Sequence, residues 1–158
     1  PGDDYEGGQL FRQIDTGAKF EDIVASALWL KNRADCTGKI GVTGFCYGGG
    51  VSNQLAVRLG DDLAAAVPFY GGAAAAVDVP KIKAAILAQH GALDTRLAEA
   101  WPAYDEALTA ANVTHEGHLY PNSVHGFFND ATPERYNEAT ATEAWTRTID
   151  WFNTYVRG

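Results

Sequence analysis

Four short apolar segments alternate with longer helical segments along this chain, and this alternation constrains the fold more than any other feature. The apolar segments cover residues 39–45, 64–70, 84–90 and 114–120, of which the last is the most polar and resembles an edge strand. Strands that alternate with helices pair in parallel and are covered by helices. We therefore predict an α/β fold with a mostly parallel sheet, in a single domain over residues 1–158.

The helical segments follow from apolar residues that recur with a period of 3.6. From Phe20 onward, apolar side chains lie at i, i+3, i+4, i+7 and i+8, which indicates one buried helix face. Residues 51–59 and 97–111 also have helical patterns or composition. The last helix carries four apolar side chains at spacings of 4, 3 and 4, namely Trp145, Ile149, Phe152 and Val156.

Two boundary predictions rest on local composition. Thr132, Pro133 and Glu134 supply a hydroxyl cap, a proline and an acid, which is typical of a helix start. Residues 1–19 are rich in glycine and aspartate and are predicted to form a loop.

Charge and hydropathy restrict the classes of partner. The chain has a net charge of −8, so it repels polyphosphates, and we expect no nucleic-acid partner. No run approaches the roughly 18 apolar residues of a membrane span, so we expect no membrane insertion. The chain starts at Pro1 and contains no methionine, which suggests a processed or truncated product. A cytoplasmic location is the default expectation, and export stays open.

The segment G-F-C-Y-G-G-G, residues 44–50, lies between a predicted strand and a predicted helix. A nucleophile at such a turn sits on a strained backbone, and small flanking residues avoid a clash with the neighbouring strand and helix. The N-terminal end of the new helix favours a thiolate at this position. Cys46 is therefore the candidate nucleophile.

This segment has three other interpretations. A glycine-rich turn can bind phosphate, but the spacing fits neither the dinucleotide fingerprint nor the P-loop. Cys46 could be an ordinary buried cysteine. A thiol redox role is disfavoured because the chain has no C-x-x-C, and Cys36 lies about 20 Å away along an extended strand, too far for a disulfide.

A cysteine nucleophile requires a base and an acid that orients it, each on a loop after a later strand. Asp94 follows the segment 84–90 and fits the acid, while His125 follows the segment 114–120 and fits the base. The competing side chains lie less favourably in the strand patterns or in a turn, and these are His90, His115, His118 and Asp130.

At this point the residues resemble a known family. G-F-C-Y-G-G-G, P-F-Y-G, L-D-T-R and Y-P-N-S-V-H-G-F-F-N-D are similar to segments of the dienelactone hydrolases (carboxymethylenebutenolidases), from about residue 20 onward. That family is a cysteine branch of the α/β-hydrolases. The resemblance implies a triad of Cys46, Asp94 and His125, and hydrolysis of an ester or enol-lactone with no cofactor and no metal.

The resemblance also implies what this chain does not contain. Only the C-terminal half of the α/β-hydrolase sheet corresponds to it, and the strands that precede this half supply one oxyanion donor. The other donor is the Tyr47 N–H. The strand 39–45 would expose a bare edge, so we expect it to pair with the missing N-terminal half or with another chain. Alone, residues 1–158 should self-associate, aggregate or be inactive.

Four side chains are candidates for substrate contact. Tyr70 ends a strand, Arg96 lies two residues past the candidate acid, and Phe127 and Phe128 follow the candidate base. For the aromatic residues the alternative is core packing, and for Arg96 it is a surface ion pair. For the whole chain, the alternative to an ester hydrolase is a non-catalytic binding domain that keeps the hydrolase fold.

Overall fold

Four parallel strands in the order β1-β2-β3-β4 form the centre of the protein. The structure is a computed structural model, and it describes residues 4–157. The strands are β1 (Gly41–Phe45), β2 (Ala65–Phe69), β3 (Ala85–Gly91) and β4 (His115–Tyr120). Every residue of β2 and β3 is buried, as expected for strands covered on both faces. The predicted α/β class and the edge position of the fourth strand are confirmed.

Within residues 4–157, five α-helices accompany the sheet: α1 (Asp4–Gln13), α2 (Thr16–Lys31), α3 (Tyr47–Leu59), α4 (Thr95–Ala110) and α5 (Glu138–Phe152). The helix predicted over residues 51–59 begins four residues earlier than expected, directly after Cys46. A π-helical stretch, Asn153–Arg157, continues α5. In the described part of the chain, no helix is long and apolar enough to cross a membrane.

The two faces of the sheet bury separate apolar cores. On one face, Ala66 and Ile86 pack with side chains of α2, α3 and α4, including Val24, Leu55 and Leu108. The other face is covered by α5, whose core residues Ala144 and Trp151 pack with Val67, Phe69 and Leu87.

Gln89 connects the sheet to α5 at the centre of the second core. Its Nε2 donates to Ala144 O at 2.8 Å and to Thr148 Oγ1 at 2.9 Å, while Tyr120 donates to its Oε1. The position of α5 over the strands therefore depends on directed polar contacts as well as on apolar burial.

The loop predicted for residues 1–19 is wrong over the described residues. Despite two glycines, α1 forms there, and Asp15 caps α2 by accepting a hydrogen bond from Ala18 N at 2.7 Å. Phe11 packs edge-on against Tyr47, with ring centroids 5.2 Å apart. Glycine and aspartate content alone was misleading, because this aspartate starts a helix and this aromatic contact holds α1 at the start of α3.

The helix start predicted at residues 132–134 is also wrong. The Thr132 hydroxyl donates back to Asn129 O at 3.0 Å, so it caps no helix, and α5 begins six residues later at Glu138. Asn137 caps α5 by accepting from Thr140 N. Two members of the predicted apolar stripe, Trp145 and Ile149, each remain 42% exposed.

Candidate active site

Cys46 lies on a strained turn between β1 and α3. Its backbone has φ of 56° and ψ of −113°, and its N–H donates to Phe69 O at 3.1 Å. A Cβ on Gly44 would lie 2.2 Å from Gly48 O, and a Cβ on Gly49 would lie 2.4 Å from Phe69 O. Close backbone approach therefore requires glycine at position 44, as the turn motif predicts. At the other flank of Cys46 the prediction is wrong by one residue, because a Cβ on Gly48 would meet no atom within 4 Å and the close approach falls at Gly49. The thiol is free and exposed, which excludes an ordinary buried cysteine.

Asp94 follows β3 and is the N-cap residue of α4, but its side chain makes no capping hydrogen bond. The carboxylate instead accepts a hydrogen bond at its Oδ2 from His125 Nδ1, at 2.6 Å. The Asp94 side chain is only 9% exposed, against 33% for His125. The largely buried carboxylate thus holds the imidazole, which is one-third exposed, by Nδ1. The other ring nitrogen, Nε2, is left to act toward the solvent side.

Backbone contacts between two loops bring these residues together. Ala92 N donates to Tyr120 O at 2.9 Å, and Leu93 N donates to Ser123 O at 3.0 Å. A Cβ on Gly91 would lie 2.4 Å from Ser123 O, so only glycine permits this approach at the end of β3. The loop after β3 and the loop after β4 are therefore joined, and the join sets the distance between carboxylate and imidazole.

Cys46 and His125 line two adjoining cavities. The smaller, about 300 Å³, is also lined by Tyr47, Gln54 and Arg96. The larger, about 470 Å³, is lined by aromatic and polar groups that include Phe45, Tyr70, Phe128, Asp130 and Arg135. Because both residues line both cavities, a ligand bound there can meet the thiol and the imidazole together. Among the residues that the structure describes, no hydrogen bond joins the two groups directly.

Of the four side chains predicted to contact substrate, the structure places three at the cavities and one in the core. Tyr70 lines both cavities, Arg96 the smaller and Phe128 the larger. Phe127 is fully buried and packs on Tyr70 and Tyr120 with centroids 5.4 Å away, so its predicted place in the pocket is corrected to the core.

None of the other histidines lines either of the cavities beside Cys46. His115 Nε2 lies 3.2 Å from Asp105 on the far side of β4, and His118 lies beside Glu116. His90 is buried at the end of β3 against Trp101, and burial lowers the pKa of its imidazole to about 4. Asp130 lines the larger cavity but forms no pair with His125.

The backbone at the start of α3 bears on the predicted oxyanion donor, the Tyr47 N–H. Tyr47 is the first residue of α3, and the first N–H groups of a helix have no partner within it.

In the described part of the chain, no three His, Cys, Asp or Glu side chains are grouped so that they could hold a metal ion.

This arrangement has counterparts among known proteins. The sequence model of the dienelactone hydrolase family matches residues 1–156. The chain belongs to the dienelactone hydrolase family. A candidate carboxymethylenebutenolidase of Yersinia pestis is 32% identical over 154 residues, which cover 90% of this chain and 57% of that protein. A similar protein of Salmonella typhimurium is 31% identical over 157 residues.

Solved structures of the family share the fold. A candidate dienelactone hydrolase from Klebsiella pneumoniae has a TM-score of 0.77 and 28% identity, covering 86% of this chain and 60% of that one. A dienelactone hydrolase-like promiscuous phosphotriesterase from metagenomic libraries has a TM-score of 0.75 and 26% identity. The chain therefore spans little more than half the length of these relatives, and the resemblance inferred from its motifs is confirmed.

Sequence reasoning missed several residues that line the cavities of this hydrolase-family site, namely Phe45, Gln54, Asn129 and Arg135. Arg135 lies ten residues after His125, yet its side chain packs over Gly126, which has φ of 87°. Arg135 N donates to Thr132 O at 2.9 Å, so Pro133 holds the second position of the turn that returns Arg135 to the site, a position that proline favours. Phe45 could have been found, because the residue before a nucleophile at a strand end must lie at the same edge of the sheet.

Proposed function

We propose that the chain contributes the nucleophile, base and acid of a hydrolase that acts on carboxylic esters or enol-lactones. The observation that carries this proposal is the hydrogen bond between Asp94 and His125 beside Cys46, which lies at a strained turn in the same two cavities. Membership in the dienelactone hydrolase family supports the same chemistry.

The proposed reaction proceeds through a thioester. His125 Nε2 takes the proton from the Cys46 thiol as the sulfur bonds to the ester carbonyl carbon, and the carbonyl oxygen becomes an oxyanion. The Tyr47 N–H stabilises this oxyanion, with a second donor from outside residues 4–157. The C–O bond then breaks, and His125 delivers its proton to the leaving oxygen, which in a lactone remains attached to the acyl group.

Hydrolysis of the thioester restores the resting site. Water attacks the thioester carbonyl while His125 takes one of its protons, and the C–S bond breaks. The product leaves as a carboxylic acid, and the sulfur regains the proton from the imidazole. Asp94 stays ionised throughout, because it holds the Nδ1 proton and stabilises the imidazolium that forms after each proton transfer.

The smaller and larger cavities offer different surroundings to the two sides of an ester. Arg96 is exposed, and none of the ion pairs or hydrogen bonds found among the described residues involves it, so it is a free cation beside Cys46. Phe128 stacks with Phe45 at 5.2 Å and presents an apolar surface on the other side. We propose that a polar or anionic group binds near Arg96 and an apolar group near Phe128.

The test is acylation of the cysteine by an activated ester. p-Nitrophenyl acetate is mixed with the complete protein, which includes the polypeptide proposed to supply the second oxyanion donor, the reaction is stopped with acid, and the acetyl adduct is located by mass spectrometry. We expect the adduct on Cys46, release of p-nitrophenol in a burst, and loss of turnover by several orders of magnitude in Cys46→Ala. Cys36→Ala is the matched control and should keep the burst.

Two results would contradict this proposal. One is turnover in Cys46→Ala within about tenfold of the unmodified protein. The other is an acetyl adduct that forms equally fast in His125→Gln, because a thiol without a base would then suffice. Either result would show that Cys46 and His125 do not act together as nucleophile and base.

A further inference from the structure

Tyr70 has a backbone conformation that its side chain does not favour. It follows β2 directly, with φ of 36°. Three other non-glycine residues among those described have positive φ: Asn112, Asn122 and Cys46. Asparagine tolerates this region, and Cys46 is the nucleophile at its turn. A tyrosine here is an outlier, and such outliers persist where the side chain has a function.

Contacts on several sides fix the strained residue. Tyr70 N donates to Gln89 O at 2.7 Å, which continues the β2–β3 ladder past the end of the strand. The side chain is 4% exposed. Its ring packs against Phe127 at 5.4 Å and Phe69 at 6.2 Å. A φ of 36° means that glycine is the residue that the backbone alone would favour at position 70.

The same ring contacts the imidazole of His125. The two centroids are 5.0 Å apart, with 58° between the ring planes. The other fixed contact of the imidazole is the hydrogen bond to Asp94, which restrains Nδ1. One hydrogen bond leaves the ring free to tilt about that nitrogen, so the direction of Nε2 depends on a second contact. Tyr70 is buried and rigid, and it supplies that contact.

We propose that Tyr70 is a positioning residue for His125. The tyrosine ring packs against the imidazole and directs Nε2 toward Cys46. This inference rests on the proposed role of His125 as the base. The contact with the imidazole is made by the aromatic ring, whereas the phenolic oxygen is in hydrogen-bonding contact with the Phe128 backbone. Tyr70 also lines both cavities, together with Cys46 and His125.

The ionisation of Tyr70 agrees with a packing role. Burial raises the pKa of its phenol to about 12, and the neighbouring Cys46 acts in the same direction. The phenol therefore stays protonated at neutral pH and does not serve as a base. Removal of the hydroxyl should have much less effect than removal of the ring.

The experiment measures the rate at which iodoacetamide alkylates Cys46 between pH 5 and pH 10, with Cys36 as an internal reference. Tyr70→Gly removes the ring and relieves the backbone strain, so the variant should fold. We expect its alkylation rate at neutral pH to fall about tenfold and its pH profile to approach that of His125→Gln. Misplacement of a reacting group by about 1 Å can have effects of up to about 10².

Conservative and remote variants separate positioning from stability. Tyr70→Phe keeps the ring and should recover the rate to within about threefold. Tyr104→Leu removes another buried tyrosine, which donates to Asn53 in the other core, and should destabilise the fold without changing the alkylation profile. With an ester substrate, Tyr70→Gly should lower kcat more than it changes KM.

The alkylation profile decides the proposal even if the chain proves not to turn over esters. A Tyr70→Gly profile within about threefold of the unmodified protein at all pH values overturns the positioning role. A shift toward the His125→Gln profile supports it. Failure of the proposed function is recognised separately, by turnover that survives in Cys46→Ala.

Discussion

His125 Nδ1 donates a 2.6 Å hydrogen bond to Asp94 Oδ2, and the two residues come from loops that follow adjacent strands, β3 and β4. The bond fixes the tautomer in which Nε2 is free to accept a proton. The carboxylate caps no helix and is nearly buried, so it is committed to the imidazole.

Replacement of Asp94 by asparagine should therefore impair proton transfer without disturbing the fold. The amide can hold the opposite tautomer, which directs an N–H toward the thiol, and we expect kcat to fall by about 10³ to 10⁴. The control is Asp105→Asn, which removes the carboxylate that lies 3.2 Å from His115 on the far side of β4. Equal losses in the two variants would contradict the assignment.

The close contact between Gly71 and the start of α3 should make that glycine intolerant of alanine. A Cβ on Gly71 would lie 2.1 Å from the Gly49 carbonyl carbon, which is backbone and cannot rotate away. We expect Gly71→Ala to lower the free energy of unfolding by about 3 kcal/mol, measured by urea titration. Gly72→Ala is the matched control, because its Cβ would meet no atom within 4 Å. A loss below about 0.5 kcal/mol in Gly71→Ala would show that the turn can relax.

His90 should make the fold sensitive to acid. Burial lowers the pKa of its imidazole to about 4, with Asp94 opposing this effect and Arg96 and His125 adding to it. The unfolded chain has the ordinary value near 6.5, so between these pH values the unfolded state binds more protons. The free energy of unfolding should then decrease as the pH falls through this window, by roughly 2 kcal/mol between pH 7 and pH 4.5.

The variant His90→Phe tests this origin of the acid sensitivity. It keeps an aromatic ring against Trp101, and the buried Nδ1 that it removes has no hydrogen-bond partner. We expect the difference in unfolding free energy between pH 7 and pH 4.5 to shrink by roughly 2 kcal/mol. An unchanged difference in His90→Phe would assign the acid sensitivity to other groups.

Local patterns predicted the parts of the site that lie where strands end. Cys46, Asp94 and His125 each follow a strand whose apolar run is visible in the sequence, and parallel strands end at one edge of the sheet. Their approach could therefore be predicted from chain order, although the 2.6 Å bond could not. That bond depends on Gly91, whose missing side chain admits the carbonyl of Ser123.

Features set by long-range contacts could not be predicted. Phe127 and Phe128 are adjacent residues of the same type, directly after the turn at Gly126. Phe127 lies in the core, whereas Phe128 lies at the cavity. The strain at Tyr70 has no sequence signal at all, since tyrosine does not indicate a positive φ. The start of α5 was misplaced because the Thr132 hydroxyl bonds to Asn129 and caps no helix.

The free edge of β1 should pair with another strand. Within the described chain β1 pairs only with β2, and the apolar side chains near this edge are exposed, Phe45 by 38% and Trp145 by 42%. Phe128 lies between them, with centroids 5.2 Å and 5.7 Å away. We propose that β1 pairs with a strand from polypeptide outside residues 4–157 and that, in its absence, β1 of a second copy takes this place.

A proline at position 43 tests pairing without breaking the existing ladder. Cys46 N donates toward β2, and N–H groups alternate in direction along a strand, so the Thr43 N–H points to the free edge. At about 100 µM the unmodified chain should sediment as a dimer or larger species, and Thr43→Pro should shift it toward the monomer. Thr43→Val is the control: it also loses the 2.9 Å hydroxyl bond to Val67 O but keeps the outward N–H, so it should stay associated. A monomeric unmodified chain at this concentration, or equal association of both variants, would show that the edge of β1 does not mediate assembly.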